Sequence, residues 1–379
     1  MSDNAAVIEA AREALSHVND PEIRRPLTEL GMVDAIEVDG GRVRVKILLT
    51  VAACPLRDTL QGDVRAAVEV LEGVDSVEVE FGVMTEEQRR DLQTKLRGPG
   101  RAAEPVIPFN LPESRTRVFA VASGKGGVGK SSLTVNLAAA LSAKGLTVGV
   151  ADADIYGHSV PRMLGVEGSP TQVEDMIMPP QAYGMKVISI GMFTPGNTAV
   201  VWRGPMLHRA LQQFLSDVYW GELDVLLLDL PPGTGDIAIS VAQLLPTAEL
   251  VVVTTPQQAA AEVAERAGAI VTQTHQKLAG VVENMSWMEL PDGSHVEPFG
   301  SGGGKTVAAA LTRDVGAEVP LLGQVPLDPR LREGGDAGVP LVVSDPDAPA
   351  SRAIIQVADQ LAVRKVSLAG KQLGLTPTS

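Results

Sequence analysis

The segment SGKGGVGKSS, residues 123–132, has the residue types and the spacing of a phosphate-binding loop. Gly124 to Ser131 fits the pattern G-x-x-x-x-G-K-S, between a β-rich run, VFAVAS, and a helical stretch. Glycines let backbone N–H groups approach phosphate oxygens, and the N-terminus of a helix adds partial positive charge. We expect Lys130 to contact the β- and γ-phosphates of ATP and the Ser131 hydroxyl to hold Mg²⁺. The residues expected to contact the nucleotide here are Gly124, Lys125, Gly126, Gly127, Val128, Gly129, Lys130, Ser131 and Ser132.

Lys125 is a second lysine, near the start of a loop that needs only one. Phosphoryl transfer develops negative charge on the bridging and γ-oxygens, and an added cation stabilises this charge as an arginine finger does. Such a cation acts within its own site or in the site of a neighbouring subunit. The sequence therefore predicts a catalytic role for Lys125, and a solvated loop lysine is the alternative.

Three aspartates follow apolar runs at the points where strands are expected to end. Asp229 ends DVLLLD, the Walker B arrangement, in which a carboxylate at the end of a buried strand holds Mg²⁺ through water. Asp152 and Asp154 lie in ADADIYGHS after an earlier strand, at the edge where open α/β sheets bind ligands. We expect Asp154 to orient or deprotonate the attacking water, as the matching aspartate does in the ATPase family that this loop resembles, and Asp152 to assist near Mg²⁺. Ordinary turn carboxylates are the alternative for this pair.

Two further loops carry residue types suited to a nucleotide site. Asn284 ends the strand-like run AGVVEN, and its amide can both donate to and accept from an adenine edge. Pro326 and Asp328 follow in the next loop, QVPLDP. The segment PPGTGD, residues 231–236, combines rigid prolines with mobile glycines, which suits a switch that responds to the γ-phosphate, although a simple tight loop has the same composition.

The elements that must position these residues begin at Arg117, where short apolar runs start to alternate with longer helical stretches. Continuous apolar strands separated by helices predict a mostly parallel sheet covered on both faces. Residues 117–379 are therefore expected to form a doubly wound α/β P-loop domain.

The chain before this domain has a different pattern. Ala35 to Leu49 reads as two strands joined by Asp39-Gly40-Gly41, a helical period starts at Cys54, and Val74 to Phe81 alternates as a third strand. Residues 1–84 are expected to form a small α+β domain with a meander and helices. Residues 85–116, a charged helical segment followed by a stretch rich in proline and glycine, are expected to be a linker.

Composition limits the function classes. The chain has 379 residues, 45% hydrophobic, with a net charge of -14 and 3% aromatics, which disfavours nucleic-acid binding and a DNA-partition role. No apolar run approaches the ~18 residues that a membrane span requires, and MSDNAAVIEA lacks the features of a signal peptide. With one cysteine, Cys54, an internal disulfide is excluded. These features favour a cytoplasmic protein without a membrane or nucleic-acid partner.

GKGGVGKS resembles the deviant Walker motif of the ATPases that include the nitrogenase iron protein and the division-site and plasmid-partition ATPases. In those relatives the early lysine reaches across a nucleotide-sandwich dimer, so the resemblance implies a homodimer in which Lys125 contacts the partner's phosphates. Asn284, Pro326 and Asp328 match the base-binding loops of that family, which implies that they contact adenine.

Five sequence segments resemble the Mrp branch, the ATPases that carry iron–sulfur clusters. In chain order they are DADIYGHS, VWRGPM, DLPPGTGD, VVENMS and FGSGGG. The first ~85 residues resemble a small domain of iron–sulfur assembly factors, through NDPE at 19–22, LGMV at 30–33 and TVAACPL around Cys54. The resemblance implies ATP hydrolysis and delivery of clusters to apoprotein clients.

One departure from the family concerns the cluster itself. Typical members have a CxxC pair after ENMS, whereas this chain has Leu290 and Gly293 at those positions. A dimer therefore offers two thiols, both from Cys54, and iron–sulfur centres ordinarily take four ligands. Cys54 is either a ligand or transfer thiol at a helix N-terminus or a buried structural cysteine. A nucleotide-switched dimeric adaptor that holds no cluster is the alternative function.

Two other positions leave alternatives open. His158 replaces the proline that the family usually has after DADIYG, and we expect it to be a loop residue. Trp202 and Arg203, in VWRGPM, are types enriched at interfaces, so they are expected either at the dimer contact or as a partly buried structural pair.

Overall fold

The computed structural model describes residues 3–50, 56–97, 106–154, 157–193, 204–233, 236–257, 268–269, 271, 274 and 276–363. Its N-terminal unit, residues 3–97, contains a three-stranded sheet in the order β1–β2–β3. The strands are β1 (Val33–Asp39), β2 (Arg42–Leu49) and β3 (Ser76–Val83). The helices are α1 (Asp3–Leu15), α2 (Leu27–Leu30), α3 (Arg57–Glu69) and α4 (Glu86–Arg97).

The hairpin predicted at Asp39-Gly40-Gly41 is confirmed, because β1 and β2 pair in antiparallel fashion with Asp39 opposite Arg42. Gly40 and Gly41 both have positive φ angles, +50° and +83°, which glycine adopts without steric cost. The predicted meander is wrong. β3 pairs with β2 in parallel, because α3 lies between them and carries the chain back to the opposite end of the sheet.

The large unit, residues 106–363, contains an eight-stranded sheet in the order β15-β12-β11-β4-β10-β5-β9-β8 among the described residues. Its strands are β4 (Arg117–Ser123), β5 (Val148–Asp152), β8 (Gln181–Ala182), β9 (Met185–Ser189), β10 (Val225–Asp229), β11 (Glu249–Thr254), β12 (Lys277–Asn284) and β15 (Leu321–Val325). Two short hairpins lie outside this sheet: β6 (Thr171–Val173) with β7 (Met176–Met178), and β13 (Met288–Glu289) with β14 (His295–Val296). Each neighbouring pair in the large sheet is parallel except β8 with β9.

Helices cover both faces of the large sheet. They are α5 (Lys130–Ala143), α6 (Val160–Met163), α7 (Gly204–Ser216), α8 (Asp236–Leu244), α9 (Gly303–Val315), α10 (Pro329–Ala337), α11 (Leu341–Ser344) and α12 (Pro349–Ala362). One core contains residues of α5 and α12, and a second core contains residues of α7 and α8. The predicted fold class, a doubly wound sheet preceded by a small α+β unit, is confirmed.

The second half of the predicted linker is part of the core. Ile107 and Phe109 are buried, and the Phe109 ring meets the Trp220 ring edge-on at 6.2 Å between centroids. Aromatic pairs in this geometry add to the free energy gained by burial. Residues 106–110 therefore anchor the chain under the large sheet before β4 begins.

The two units contact each other through the β6–β7 hairpin. Val173, Met176 and Met178 are buried in the hydrophobic core of the N-terminal unit. Beside the hairpin, Arg89 Nε pairs with Glu174 Oε1 at 3.1 Å. Sequence periodicity did not predict this contact, since the hairpin is short and its methionines come from a segment far along the chain.

Glu22 lies in the loop of the N-terminal unit that faces the large unit, and its backbone carbonyl accepts from Gln181 Nε2 at 3.1 Å. Burial and the charge of nearby Asp20 raise the pKa of Glu22 from 4.5 to about 7. The folded chain then keeps a proton that the unfolded chain releases above pH 4.5, so this contribution to stability is lost as the pH rises toward 7.

Glu22→Gln is therefore expected to reduce the loss of thermal stability between pH 5 and pH 7.5, because the glutamine has no proton to release. Thermal unfolding at both pH values measures this, with the exposed Glu113 changed to glutamine as the matched control. An equal pH dependence in the Glu22 variant and the wild type would show that Glu22 is not the titrating group.

Across the described ranges, none of the helices combines the length and the apolar character needed to cross a lipid bilayer.

Candidate functional site

The glycine-rich loop connects β4 to α5 at the C-terminal edge of the large sheet. Gly127 and Gly129 both have φ +78°, a left-handed backbone that favours glycine. Beside the loop lies a cavity of about 230 Å³, whose wall includes residues 125–132, Asp154 and Pro232. The local sequence thus forms a backbone cradle of the kind that binds phosphate, at the N-terminus of a 14-residue helix.

Asp229 lies at the base of the cradle and is fully buried at the end of β10. Its Oδ1 is 2.8 Å from the Lys130 ammonium, and its Oδ2 accepts from the Ser131 hydroxyl at 2.5 Å. Lys130 is itself only 6% exposed, so both members of the Lys130–Asp229 ion pair are buried and each compensates the charge of the other. The structure therefore brings together three residues that the sequence assigned to phosphate and Mg²⁺.

Thr134 is a further member of this cluster that the sequence reasoning missed. Its hydroxyl donates to Asp229 Oδ1 at 2.8 Å from one turn beyond Lys130 on α5. The available signal was a further hydroxyl residue four positions after the lysine, since residues at i and i+4 share a helix face.

Asp152 and Asp154 lie on neighbouring parts of the same edge. Asp152 is opposite Asp229 in the β5–β10 pairing, and its carboxylate accepts from the Asp154 and Val160 N–H groups at 3.1 and 3.2 Å. The Ser189 hydroxyl donates to the same carboxylate at 3.1 Å. Burial, followed by the charge of Asp229, raises the pKa of Asp152 to about 7. These contacts fix the loop that places Asp154 on the cavity wall.

Lys125 is half-buried on the cavity wall, and its ammonium donates to the Gln257 side-chain oxygen. Gln257 follows β11, 132 residues away in sequence, and sequence reasoning did not identify it. The two lysines of the loop thus have different partners: Lys130 pairs with a buried carboxylate, and Lys125 with a neutral amide.

Asn284 contacts the loop directly. Its Nδ2 donates to the Val128 carbonyl at 2.9 Å, and a Cβ at Gly129 would be 2.3 Å from the same nitrogen. Asn284 therefore supports the cradle. Its predicted contact with adenine stays a prediction.

Pro326 and Asp328 follow β15, the strand next to β12. Pro326 is buried. Asp328 caps α10 by accepting from the Arg330 N–H at 3.0 Å, and it also pairs with the Arg330 guanidinium at 2.7 Å. The two residues come to the same sheet edge as Asn284. The contacts of Asp328 with Arg330 stabilise the start of α10.

Leu290 and Gly293, at the positions where the resembled family has cysteines, lie at the tip of the β13–β14 hairpin. The Gly293 N–H donates to the Leu290 carbonyl at 2.8 Å, so the tip is a tight turn. In the described part of the chain, no group of three or more His, Cys, Asp or Glu side chains is placed to hold a metal ion. Cys54, Trp202, Arg203 and residues 234–235 of the PPGTGD segment lie outside the described residues.

His158 is exposed, as expected of a loop residue, and its ring packs against Gly191.

The chain matches two known protein families. Residues 114–362, more than half of the chain, match the family described as "NUBPL iron-transfer P-loop NTPase". The chain belongs to this P-loop NTPase family. Residues 8–81 also match a second family, described as "Iron-sulfur cluster assembly protein". These two matches agree with the two resemblances read from the sequence.

Two relatives are similar over nearly the whole chain, and a solved structure is similar over part of it. A protein of Mycobacterium tuberculosis named "Iron-sulfur cluster carrier protein" is 62% identical over 370 residues, which cover 97% of each chain. A protein of the same name from Deinococcus radiodurans is 43% identical, over 96% of this chain and 99% of that protein. A solved structure of a nucleotide-binding protein from Archaeoglobus fulgidus in complex with ADP is 34% identical, with a TM-score of 0.52. It covers 62% of this chain and 90% of its own.

Proposed function

We propose that this chain is an ATP-hydrolysing carrier of iron–sulfur clusters that works as a homodimer in the cytoplasm and delivers clusters to apoprotein clients. The observation that carries the ATPase part is the buried cluster of Asp229, Lys130 and Ser131 beneath the glycine cradle. The carrier part is supported by the family match and by the names of the relatives.

The residues of the cradle fit Mg·ATP. Two oxygens 2.5 Å apart, on Ser131 and Asp229, are hard ligands of the kind that Mg²⁺ prefers. When bound, Mg²⁺ neutralises charge on the phosphate oxygens. Backbone N–H groups of residues 124–131 would receive the phosphates, and Lys130 would exchange Asp229 for a phosphate oxygen.

The placement of the remaining groups supports hydrolysis. Asp154 on the cavity wall would orient a water and accept its proton. The water oxygen forms a bond to the γ-phosphorus while the bond to the bridging oxygen breaks and ADP leaves. The developing charge would be stabilised by Lys130 and by Lys125, the latter acting on the partner's nucleotide after it leaves Gln257. Asp152 would support this step by fixing the Asp154 loop, in addition to its expected place near Mg²⁺.

The cluster is cargo, and its ligands decide between two functions. Leu290 and Gly293 contribute no thiolate, so a dimer supplies two Cys54 thiols, and a carrier requires further ligands from histidine, carboxylate or an outside thiol. The replacement of the two family cysteines by Leu290 and Gly293 also supports the second candidate, a nucleotide-switched adaptor that binds assembly factors or clients without a cluster.

Anaerobic reconstitution with iron and sulfide separates the two candidates. Visible absorbance and iron counted per dimer are expected to show a bound cluster in the wild type and its loss in Cys54→Ser. Leu290→Cys/Gly293→Cys, which restores the pair, is the positive control. If the control gains iron and the wild type holds none, the adaptor function replaces the carrier function.

A further inference from the structure

A second and larger cavity lies between the two units, at the sheet edge opposite the glycine loop. Its volume is about 1290 Å³. Thr116, Thr147 and Asp224, which precede β4, β5 and β10, form part of its wall, whereas Arg24 and Arg25 come from the N-terminal unit. We call this space the interdomain cavity. It is separate from the nucleotide site, because the two lie at opposite ends of the same strands.

Lys186 on β9 is the buried cation of the interdomain cavity. It is 4% exposed, its Nζ donates to the Tyr219 carbonyl at 3.2 Å, and it lies 4.3 Å from the centroid of the Tyr219 ring. Among the residues that the structure describes, no carboxylate forms an ion pair with it. An ammonium group has three donors, and the described residues give this buried charge one acceptor and no counter-ion.

The surroundings of Lys186 favour an anion. Burial, and secondarily the positive charge of Arg24, lower the pKa of Lys186 to about 8. Gly221 leaves space beside the ammonium, since a Cβ there would lie 3.2 Å from Nζ. Of the acidic residues of the cavity wall, Glu113 and Glu222 are exposed, and Asp224 accepts from the Thr147 N–H at 3.0 Å.

Arg24 presents its charge from the other unit. Its φ of +59° is uncommon for a residue with a side chain. Its guanidinium donates to Gln181 Oε1 at 2.7 Å and to the Gly184 carbonyl at 3.1 Å, which holds it beside the β8–β9 turn next to Lys186. Two cations from separate units therefore come together at this cavity.

We propose that the interdomain cavity binds a small oxyanion, a metabolite with a phosphate or carboxylate group, through Lys186 and Arg24. Such a ligand would supply the missing acceptors of the ammonium and link the two units. It would be an effector site, distinct from ATP hydrolysis and from cluster binding.

The test uses the full chain saturated with Mg·ADP, so that the glycine loop is filled. Inorganic phosphate and citrate are titrated separately, by calorimetry and by Trp220 fluorescence, since Trp220 lines the cavity. We expect one site per chain, at least about tenfold weaker in Lys186→Met, because charge-assisted hydrogen bonds to an anion are among the stronger ones. Lys186→Arg, which keeps the charge, and the exposed Lys277→Met are the controls and should retain binding.

A second readout follows the Lys186 ammonium directly. NMR of the lysine ε-carbon is expected to show the pKa of Lys186 rising when phosphate or citrate is present. Absence of binding by both anions, or equal binding to the wild type and Lys186→Met, would overturn the proposal. Binding of only one anion identifies the phosphate or the carboxylate as the group recognised. Binding of an acidic peptide in place of both small anions would overturn the small-molecule site and assign the cavity to a protein segment.

Discussion

Lys130→Ala is expected to abolish tight ATP binding, weakening it by at least about 100-fold, because the lysine supplies charge-assisted hydrogen bonds to the phosphates in a buried site. The variant also leaves Asp229, which is fully buried, without its cation. A buried charge that loses its partner costs about 3–5 kcal/mol, so the nucleotide-free variant should unfold at a lower temperature. Calorimetry with ATP and thermal unfolding without it measure the two effects separately.

Lys144→Ala is the matched control for Lys130→Ala. Lys144 lies at the other end of α5 and pairs with Asp359 on α12, away from the cradle. Its loss should leave ATP affinity at the wild-type value. Near-normal affinity in Lys130→Ala would mean that the lysine does not contact the phosphates.

Lys125→Ala is expected to spare ATP binding and to lower kcat by about a thousandfold, the smaller end of the effect of an arginine finger. The reason is that its charge is needed where negative charge develops in the transition state, while the ground state already has Lys130 and the backbone amides. Steady-state turnover at saturating ATP, together with calorimetry, measures both. Gln257→Ala, which removes the contact of Lys125 within its own chain, should keep most of the turnover.

Mixing the two lysine variants tests whether Lys125 acts on the partner's nucleotide. A dimer of one Lys125→Ala chain and one Lys130→Ala chain has one site with both lysines, provided that Lys125 comes from across the interface. An equal mixture should then recover about a quarter of wild-type turnover, since half of the dimers are mixed and each has one competent site. No recovery would mean that Lys125 works within its own chain.

The loop and Asp229 could be identified from sequence because their signals are local: a glycine pattern between a strand and a helix, and an acid after an apolar run. Other contacts of the site join residues that are far apart in the sequence, and no local pattern predicts them. Ser189 and Gln257 approach the site only because the order of strands in the sheet brings distant segments together. That order is set by packing that no short pattern records.

Two differences between the sequence predictions and the observed fold also arise from long-range packing. The meander prediction failed because alternation identifies strands and does not give their direction, which here is set by α3. The β6–β7 hairpin was missed because its burial depends on the neighbouring unit.

The most direct test of the central claim is a crystal structure of the chain with Mg²⁺ and a non-hydrolysable ATP analogue. We expect the phosphates against the backbone of residues 124–131, Lys130 shifted from Asp229 to a phosphate oxygen, and Ser131 on the metal. Nucleotide bound elsewhere, with the Lys130–Asp229 pair intact, would contradict the assignment of this cluster as an ATP site.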